Sequence, residues 1–199
     1  MKVWIDGCET VLHAYHANLQ DVLQEIIDLQ IEKNRVIWSV KVNGEAFGEK
    51  VPHEASQMDL ADIQTLEVET MSAEEICETF LRNSGSILDC LSESADRVSG
   101  LFRTSNHQEA NRQYWNLMES CQGFFAMLHE SEAVLKLDFQ NVQLKSASLR
   151  NTLRNSSHLF DSMLTAQEHQ DWKNLADLLE HDLSPLLLEY KEIMTARAA

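Results

Sequence analysis

Residues 66–81 read LEVETMSAEEICETFL, and the hydrophobic period changes within this stretch. Before Met71, apolar and charged residues alternate, as Leu66, Glu67 and Val68 do, which is typical of a strand with one buried face. After it, apolar residues recur every three or four positions, which is typical of an amphipathic helix. The sequence therefore predicts an α+β protein in which a small sheet precedes a set of helices.

The change of period coincides with a helix start signal. Ser72 and Glu75 have the spacing of a capping box, in which each side chain satisfies a backbone N–H near the helix N-terminus. Beyond this point no proline occurs before Pro185, and few glycines interrupt the helical pattern. We therefore predict an α/β domain over residues 1–70 and a helical domain over residues 71–199.

The first seventy residues contain the elements of a small sheet with one helix. Asp6-Gly7 and Asn43-Gly44 are pairs that favour tight hairpin turns, and Asn18 is a suitable helix N-cap. The predicted elements are strands over 1–5 and about 10–15, a helix from 19 to about 32, strands over 35–42 and after the second turn, and a closing strand over 65–70.

This order resembles the β-grasp fold of ubiquitin and the small sulfur-carrier proteins. The likeness lies in the hairpin MKVWIDG…VLHAY, the helix after it and the closing strand after LADIQ, about a third of the chain. Those carriers act through a free C-terminal Gly-Gly tail, whereas here the last strand continues into a helix at Met71. The resemblance therefore implies an interaction platform and not a carrier, because a fold alone does not fix an activity.

The remainder predicts an antiparallel four-helix bundle. In the first helix we expect a heptad seam through Cys77, Phe80, Ser84, Ile87, Leu91, Ser94, Val98 and Leu101. Pro185 falls inside the last apolar pattern and leaves two alternatives: a kinked continuation, or a new helix beginning at Ser184-Pro185. The uninterrupted apolar spacing favours the continuation.

Charge and composition exclude several functional classes. The formal net charge is −16, and the densest basic stretch, Lys145, Arg150 and Arg154, is sparse. We therefore expect no binding to nucleic acid or to anionic membranes. The N-terminal segment MKVWIDG lacks the apolar run of a signal peptide, which favours a bacterial cytoplasmic protein. Four widely spaced cysteines without a Cys-x-x-Cys pair disfavour a zinc site.

No catalytic motif is present in the sequence. The six glycines form no phosphate-binding loop, so we expect a non-enzymatic protein without a cofactor or metal. The alternative is a metal-dependent enzyme or a metal-binding bundle that uses Asp177, Glu180 and His181, because Asp177 and His181 are four residues apart on one predicted helix. Its ligand set lacks the paired Glu-x-x-His units of di-iron bundles.

The leading hypothesis is a protein-interaction module, either an adaptor or a chaperone. In bundle size and acidity the chain is similar to secretion and flagellar export chaperones, which hold a partner helix in an amphipathic groove. A homodimer through Ser84, Ser94 and Ala95 of the first long helix is the second hypothesis. The candidate partner-binding residues are aromatic: Tyr114, Trp115, Phe124, Phe125, Trp172 and Tyr190.

Overall fold

A computed structural model gives the fold as two compact units, Met1–Ile76 and Cys77–Ala199. For residues 143–144, 147–155 and 196–198 the structure describes the backbone and not the side chains. The structure describes residues 1–12, 15–31, 33–48, 54–104, 106–138, 143–144 and 147–198.

The first unit is a five-stranded mixed sheet with one long helix. Its strand order is β2-β1-β5-β3-β4, in which β1 pairs with β5 in parallel and the other pairs are antiparallel. The elements are β1 (Lys2–Ile5), β2 (Cys8–Thr10), α1 (Leu19–Ile31), β3 (Arg35–Val42), β4 (Glu45–Ala46), α2 (Glu54–Gln57), a 3-10 turn (Leu60–Asp62) and β5 (Thr65–Ser72).

The turns and caps follow the predicted residues, with one exception. Asn43 and Gly44 both have positive φ and connect β3 to β4. The backbone N–H of Asp21 donates to Asn18 Oδ1 over 3.0 Å, which caps α1. The expected second strand over 10–15 is wrong: Asp6 and Gly7 form so tight a turn that the chain returns at Cys8, which pairs with Ile5.

The core of this unit lies between α1 and the sheet. Leu19, Val22 and Ile26 of α1 are fully buried against the inward side chains of β1 and β5, such as Val3 and Leu66. Burial of each such side chain contributes about 1.5–3 kcal/mol before entropy is counted. The arrangement is compatible with a β-grasp-like unit.

The second unit is a helical bundle. Its first helix begins before Cys77, directly after Ser72, at the predicted capping box, in which Glu75 N donates to Ser72 Oγ over 3.2 Å and Ser72 N to Glu75 Oε2 over 2.7 Å. The elements are α3 (Ala73–Phe102), α4 (His107–Val134), β6 (Gln143–Leu144), β7 (Ala147–Ser148), α5 (Leu149–Glu168), α6 (Trp172–Leu178), a π-helical turn (Leu179–Leu183) and α7 (Ser184–Ala198).

The buried seam of α3 differs from the predicted one by a single position in alternate turns. Leu88, Ala95 and Phe102 are buried, whereas Ile87, Ser94 and Leu101 are only half-buried. The predicted seam is wrong there because apolar residues stand at both neighbouring positions, so spacing alone does not choose between them. The seam runs through Cys77, Ser84, Leu88, Leu91, Ala95, Val98 and Phe102.

The chain stays helical from α6 through the π-helical turn into α7. Ser184 has helical dihedrals, φ −58° and ψ −48°, so it is not the N-cap of a new helix. The helix therefore continues past Pro185, and the irregularity is the wider turn just before it. Proline has no N–H to donate, and a wider turn accommodates that loss.

Polar contacts show that α7 and the turn before it run antiparallel to α3. Lys191 Nζ contacts both carboxylate oxygens of Asp89 at 2.7 Å, and Ser92 Oγ lies 2.8 Å from Ser184 Oγ. Further along, Ser99 Oγ donates to Glu180. The antiparallel four-helix arrangement of the whole unit stays a prediction. In the described ranges, no helix combines the length and apolar character needed to cross a membrane.

Candidate functional site

The six predicted partner-binding aromatics occupy different environments. Three of them, Tyr114, Phe124 and Tyr190, are core residues with at most 3% of their surface exposed. Phe125 and Trp172 are half-buried, and Trp115 is 56% exposed. Of the six side chains, Trp115 is thus exposed and Phe125 and Trp172 are partly exposed, whereas the other three rings lie in the core.

Tyr190 lies at the centre of that core. Its ring packs edge-on against Phe125 at 5.2 Å, and its hydroxyl lies 3.0 Å from Ser156 Oγ. Burial raises the pKa of Tyr190 to about 12. The phenol therefore stays protonated at neutral pH and anchors α7 to α5 through a satisfied hydrogen bond.

The carboxylates of the predicted metal patch are ion-paired with an arginine. Arg103 Nη2 lies 2.7 Å from Glu180 Oε2 and 2.9 Å from Asp177 Oδ1, and Ser99 Oγ donates to the same Glu180 oxygen. The hydrogen bond from Arg103, followed by that from Ser99, lowers the pKa of Glu180. His181 is exposed on the neighbouring side of the π-helical turn.

The guanidinium thus supplies the positive charge that a metal ion would have supplied. Among the residues that the structure describes, no three His, Cys, Asp or Glu side chains are grouped to hold a metal ion. We therefore treat Asp177 and Glu180 as part of the contact between α3 and the C-terminal helical stretch.

The residues of α3 that were predicted to form a dimer interface are largely buried within the chain itself. Ser84 and Ala95 are at most 2% exposed, and Ser94 is half-buried. Small residues here let α3 and α7 approach closely: a Cβ on Gly85 would lie 3.4 Å from Thr195 Cγ2.

An apolar groove of about 580 Å³ lies between α4 and α5. Aromatic and thioether side chains line it, with small or neutral polar groups between them. The lining residues that matter for its chemistry are Met118, Gln122, Phe125, Ala126, Ser157 and Phe160. The rings of Phe125 and Phe160 meet edge-on at 6.0 Å and form its floor. Such a surface favours apolar contact.

The groove exists because α4 carries two apolar stripes. The inner stripe, through Tyr114, Leu117, Cys121, Phe124 and Leu128, fills the core. The outer stripe runs through Trp115, Met118, Gln122 and Ala126; the last three line the groove, and Trp115 is exposed about one turn before Met118. A helix that packs on one side needs a single stripe, so the second stripe is apolar surface that the core does not use.

The two walls run antiparallel. His107, at the start of α4, stacks on Trp172 at 5.4 Å, and Trp172 follows the end of α5 by four residues. The exposed side chains of Trp115 and Leu164, which is 48% exposed, therefore lie towards the same end of the groove. They extend the apolar surface beyond the lining residues.

Sequence reasoning identified Trp115 and Phe125 but missed the rest of this groove. Met118 adjoins the apolar residues of the core stripe, and Phe160 belongs to the apolar pattern that predicts α5. The signal that locates the site is the heptad spacing of Trp115, Met118, Gln122 and Ala126 beside a second, complete heptad stripe. Because Gln122 is polar and Ala126 is small, the apolar spacing of the outer stripe is hard to recognise in the sequence.

Comparisons with known proteins identify families without an assigned role. A family model described as Domain of unknown function (DUF8042) matches residues 79–193, and one described as Domain of unknown function (DUF8043) matches residues 2–71. No curated protein and no solved structure matches the chain.

Proposed function

We propose that this chain, which belongs to the DUF8042 family, is a non-enzymatic protein-interaction module, adaptor-like or chaperone-like, that binds a helix of a partner protein. The observation that carries the proposal is the apolar groove between α4 and α5 with exposed Trp115 beside it. Contiguous exposed apolar surface on a folded chain marks interaction sites. Trp and Phe in such a surface are the side chains that contribute most to binding.

The shape of the groove favours a helix as its occupant. Its walls are two antiparallel helices, and the outer stripe of α4 runs from Trp115 to Ala126, a length of about 17 Å at 1.5 Å per residue. A third helix of about three turns, with apolar residues at every third or fourth position, matches that length and periodicity. In that complex the partner's apolar side chains pack against Phe125 and Phe160.

The proposal includes two finer statements about architecture. We take residues 71–199 to be one antiparallel four-helix bundle in which residues 172–198 act as the fourth helix, supported by the Asp89–Lys191 and Ser92–Ser184 contacts. We take residues 1–70 to be a β-grasp-like domain, supported by the strand order β2-β1-β5-β3-β4. In this view the bundle presents the groove.

A matched pair of variants tests the proposed surface. Ala126→Arg introduces a long charged side chain into the groove at an exposed position. Ser120→Arg makes the same charge change on α4, about 160° around the helix from Gln122 at 100° per residue. Each variant and the unchanged chain are used for quantitative affinity capture from the native cells, and any captured protein is then purified and titrated.

We expect a partner that the unchanged chain and Ser120→Arg retain equally and that Ala126→Arg binds at least about tenfold more weakly, a loss of about 1.4 kcal/mol. Matching circular dichroism spectra and melting temperatures establish that both variants fold. Equal affinity of all three proteins for every captured partner contradicts the proposed surface.

A further inference from the structure

Over much of the groove walls the charged residues are acidic, and the cations Arg112, Arg150 and Arg154 lie nearer the starts of the two helices. Residues 113–134 of α4 and 156–168 of α5 contain five acidic residues and no Lys or Arg. Glu119 follows Met118 directly, Asp161 follows Phe160 directly, and Glu168 lies one turn beyond Leu164. All three are exposed. In sequence, each is therefore adjacent to, or one helical turn from, a residue of the apolar surface.

These three carboxylates lack cationic partners within the described part of the chain. The ion pairs of the second unit there involve other acidic residues: Asp89, Glu109, Glu132, Asp177 and Glu180. Glu109, for example, accepts two hydrogen bonds from Arg112, which together with Gln113 lowers the pKa of Glu109 to about 2. Among the described residues, Glu119, Asp161 and Glu168 take part in none of these pairs, so they can face an incoming cation.

Of the five acidic residues, Glu119, Asp161 and Glu168 lie towards one end of the groove, and Glu130 and Glu132 lie towards the other. Because α4 and α5 run antiparallel, Glu119 on α4 and Glu168 on α5 both lie towards the end that carries Trp115 and Leu164. Arg150 and Arg154 belong to the opposite end of α5, and their side chains lie outside the described set. The apolar groove is thus flanked by negative charge mainly at its Trp115 end.

We propose that the occupant of the groove is a basic amphipathic helix, a partner segment of about three turns with one apolar stripe and flanking Lys or Arg. This inference rests on the proposed function and adds the chemical class of the partner. The apolar stripe packs on Phe125, Phe160 and Met118, and the flanking cations lie against Glu119, Asp161 and Glu168 near Trp115. Complementary charges of this kind speed association and reject acidic competitors.

The charge pattern also gives the proposal a salt dependence. Exposed ion pairs are screened over a Debye length of about 8 Å at physiological ionic strength. The preference for a basic helix is therefore expected to be large in low salt and to shrink as salt is added, while the apolar contact persists.

Three synthetic peptides of about eighteen residues serve as probes of the full chain. The first has a leucine stripe at helical spacing with flanking lysines, the second has the same stripe with flanking glutamates, and the third is a scrambled form of the first that keeps its charge. Titration calorimetry in about 50 mM and 500 mM NaCl gives the affinity of each. The same titrations are repeated with Ala126→Arg, Ser120→Arg and Glu119→Gln/Asp161→Asn.

We expect the lysine peptide to bind at least about tenfold more tightly than the glutamate peptide in low salt, and the scrambled peptide to bind weakly. The double carboxylate variant should lose most of that preference, and Ala126→Arg should lose binding while Ser120→Arg keeps it. Equal binding of lysine and glutamate peptides overturns the basic partner but leaves the groove as a helix site. Equal binding of the scrambled peptide, or no binding of any peptide, also overturns the basic helix.

A different result contradicts the proposed function itself. If the lysine peptide binds Ala126→Arg and Ser120→Arg with the same affinity as the unchanged chain, the groove is not the binding surface. The charge inference then falls with it.

Discussion

Arg103 shows how one side chain determines what a cluster of carboxylates does. Asp177 and Glu180 attract a cation by their charge, and the guanidinium of Arg103, directly after α3, reaches them at 2.9 and 2.7 Å. Arginine keeps its charge at all accessible pH values and donates several hydrogen bonds in a fixed plane. The pair of carboxylates is therefore satisfied by the fold itself.

A pH titration tests this ion pair. Arg103→Gln removes the charge that, with Ser99, holds the pKa of Glu180 below its ordinary value of 4.5. We expect the carboxyl carbon of Glu180 to titrate below pH 4.5 in the unchanged chain and closer to 4.5 in the variant, as measured by NMR.

The effect on stability follows from the sign of that shift. A carboxyl group whose pKa is lowered by folding stabilises the fold above its unfolded pKa, and this stabilisation is lost as the pH falls through the folded pKa. The stability difference between the unchanged chain and Arg103→Gln should therefore be present at neutral pH and shrink below pH 4.5. A Glu180 titration unaffected by the substitution would contradict the ion pair.

At the scale of single elements, the π-helical turn explains the burial pattern of the last helical stretch. Leu175, Leu179, Leu183 and Leu187 are all fully buried although each is four residues from the next. In a regular α-helix twelve residues leave the last side chain about 120° away from the first. A wider turn at Leu179–Leu183 reduces that rotation and keeps all four leucines on one face.

A pair of deletions tests this role of the wider turn. Removing exposed Asp182 leaves the four buried leucines at spacings of four, three and four residues, which suit a regular helix. Removing exposed Asp96 from the regular helix α3 instead rotates Val98 and Phe102 out of the buried seam. Both deletions are made with Pro185→Ala, so that the proline does not interrupt the regular helix.

We expect the Asp96 deletion to cost more than about 3 kcal/mol of unfolding free energy in urea, because large buried side chains lose their contacts. The Asp182 deletion should cost at most about 1 kcal/mol, the size of an ordinary substitution. Equal losses would show that the wider turn does not set the register.

Two helix glycines give a simpler prediction for the elements. Gly123 in α4 has open space where a Cβ would stand, whereas a Cβ on Gly85 in α3 would contact Thr195 at 3.4 Å. Alanine favours a helix interior over glycine by about 1 kcal/mol. Gly123→Ala should therefore raise the unfolding free energy by about that amount, and Gly85→Ala by at least as much, because its methyl group gains a van der Waals contact with Thr195. A thermal melt that ranks them in the opposite order would contradict the packing of α3 against α7.

Elements were predicted well where local chemistry determines them. The Asn43-Gly44 turn, the Asn18 cap and the Ser72/Glu75 capping box depend on neighbouring residues, and the structure has all three. The face that a helix buries depends on distant residues instead. Tyr114, Phe124 and Tyr190 were expected at a binding surface because periodicity identifies an apolar face without saying what covers it.

At the scale of the whole molecule, the sequence predicted the order of sheet and helices but not the groove between α4 and α5. The change of period near Met71 reflects a real change from β5 to α3. The groove arises where the second stripe of α4 meets α5, and the pairing of those helices is a tertiary property that no single stretch contains. From the net charge of −16 we expected no binding to nucleic acid or anionic membranes, whereas the groove near Glu119 and Asp161 was not evident from the sequence.

The central claim is that a partner lies in the groove between α4 and α5, and site-specific photo-crosslinking in the native cell measures this most directly. A photoreactive phenylalanine derivative replaces Gln122, which lines the groove, or Ser120, which is exposed on the far side of α4. We predict a crosslinked product from position 122, joined to a helical segment rich in Lys or Arg, and none from position 120. The same product from both positions, or a product from position 120 alone, would contradict the claim.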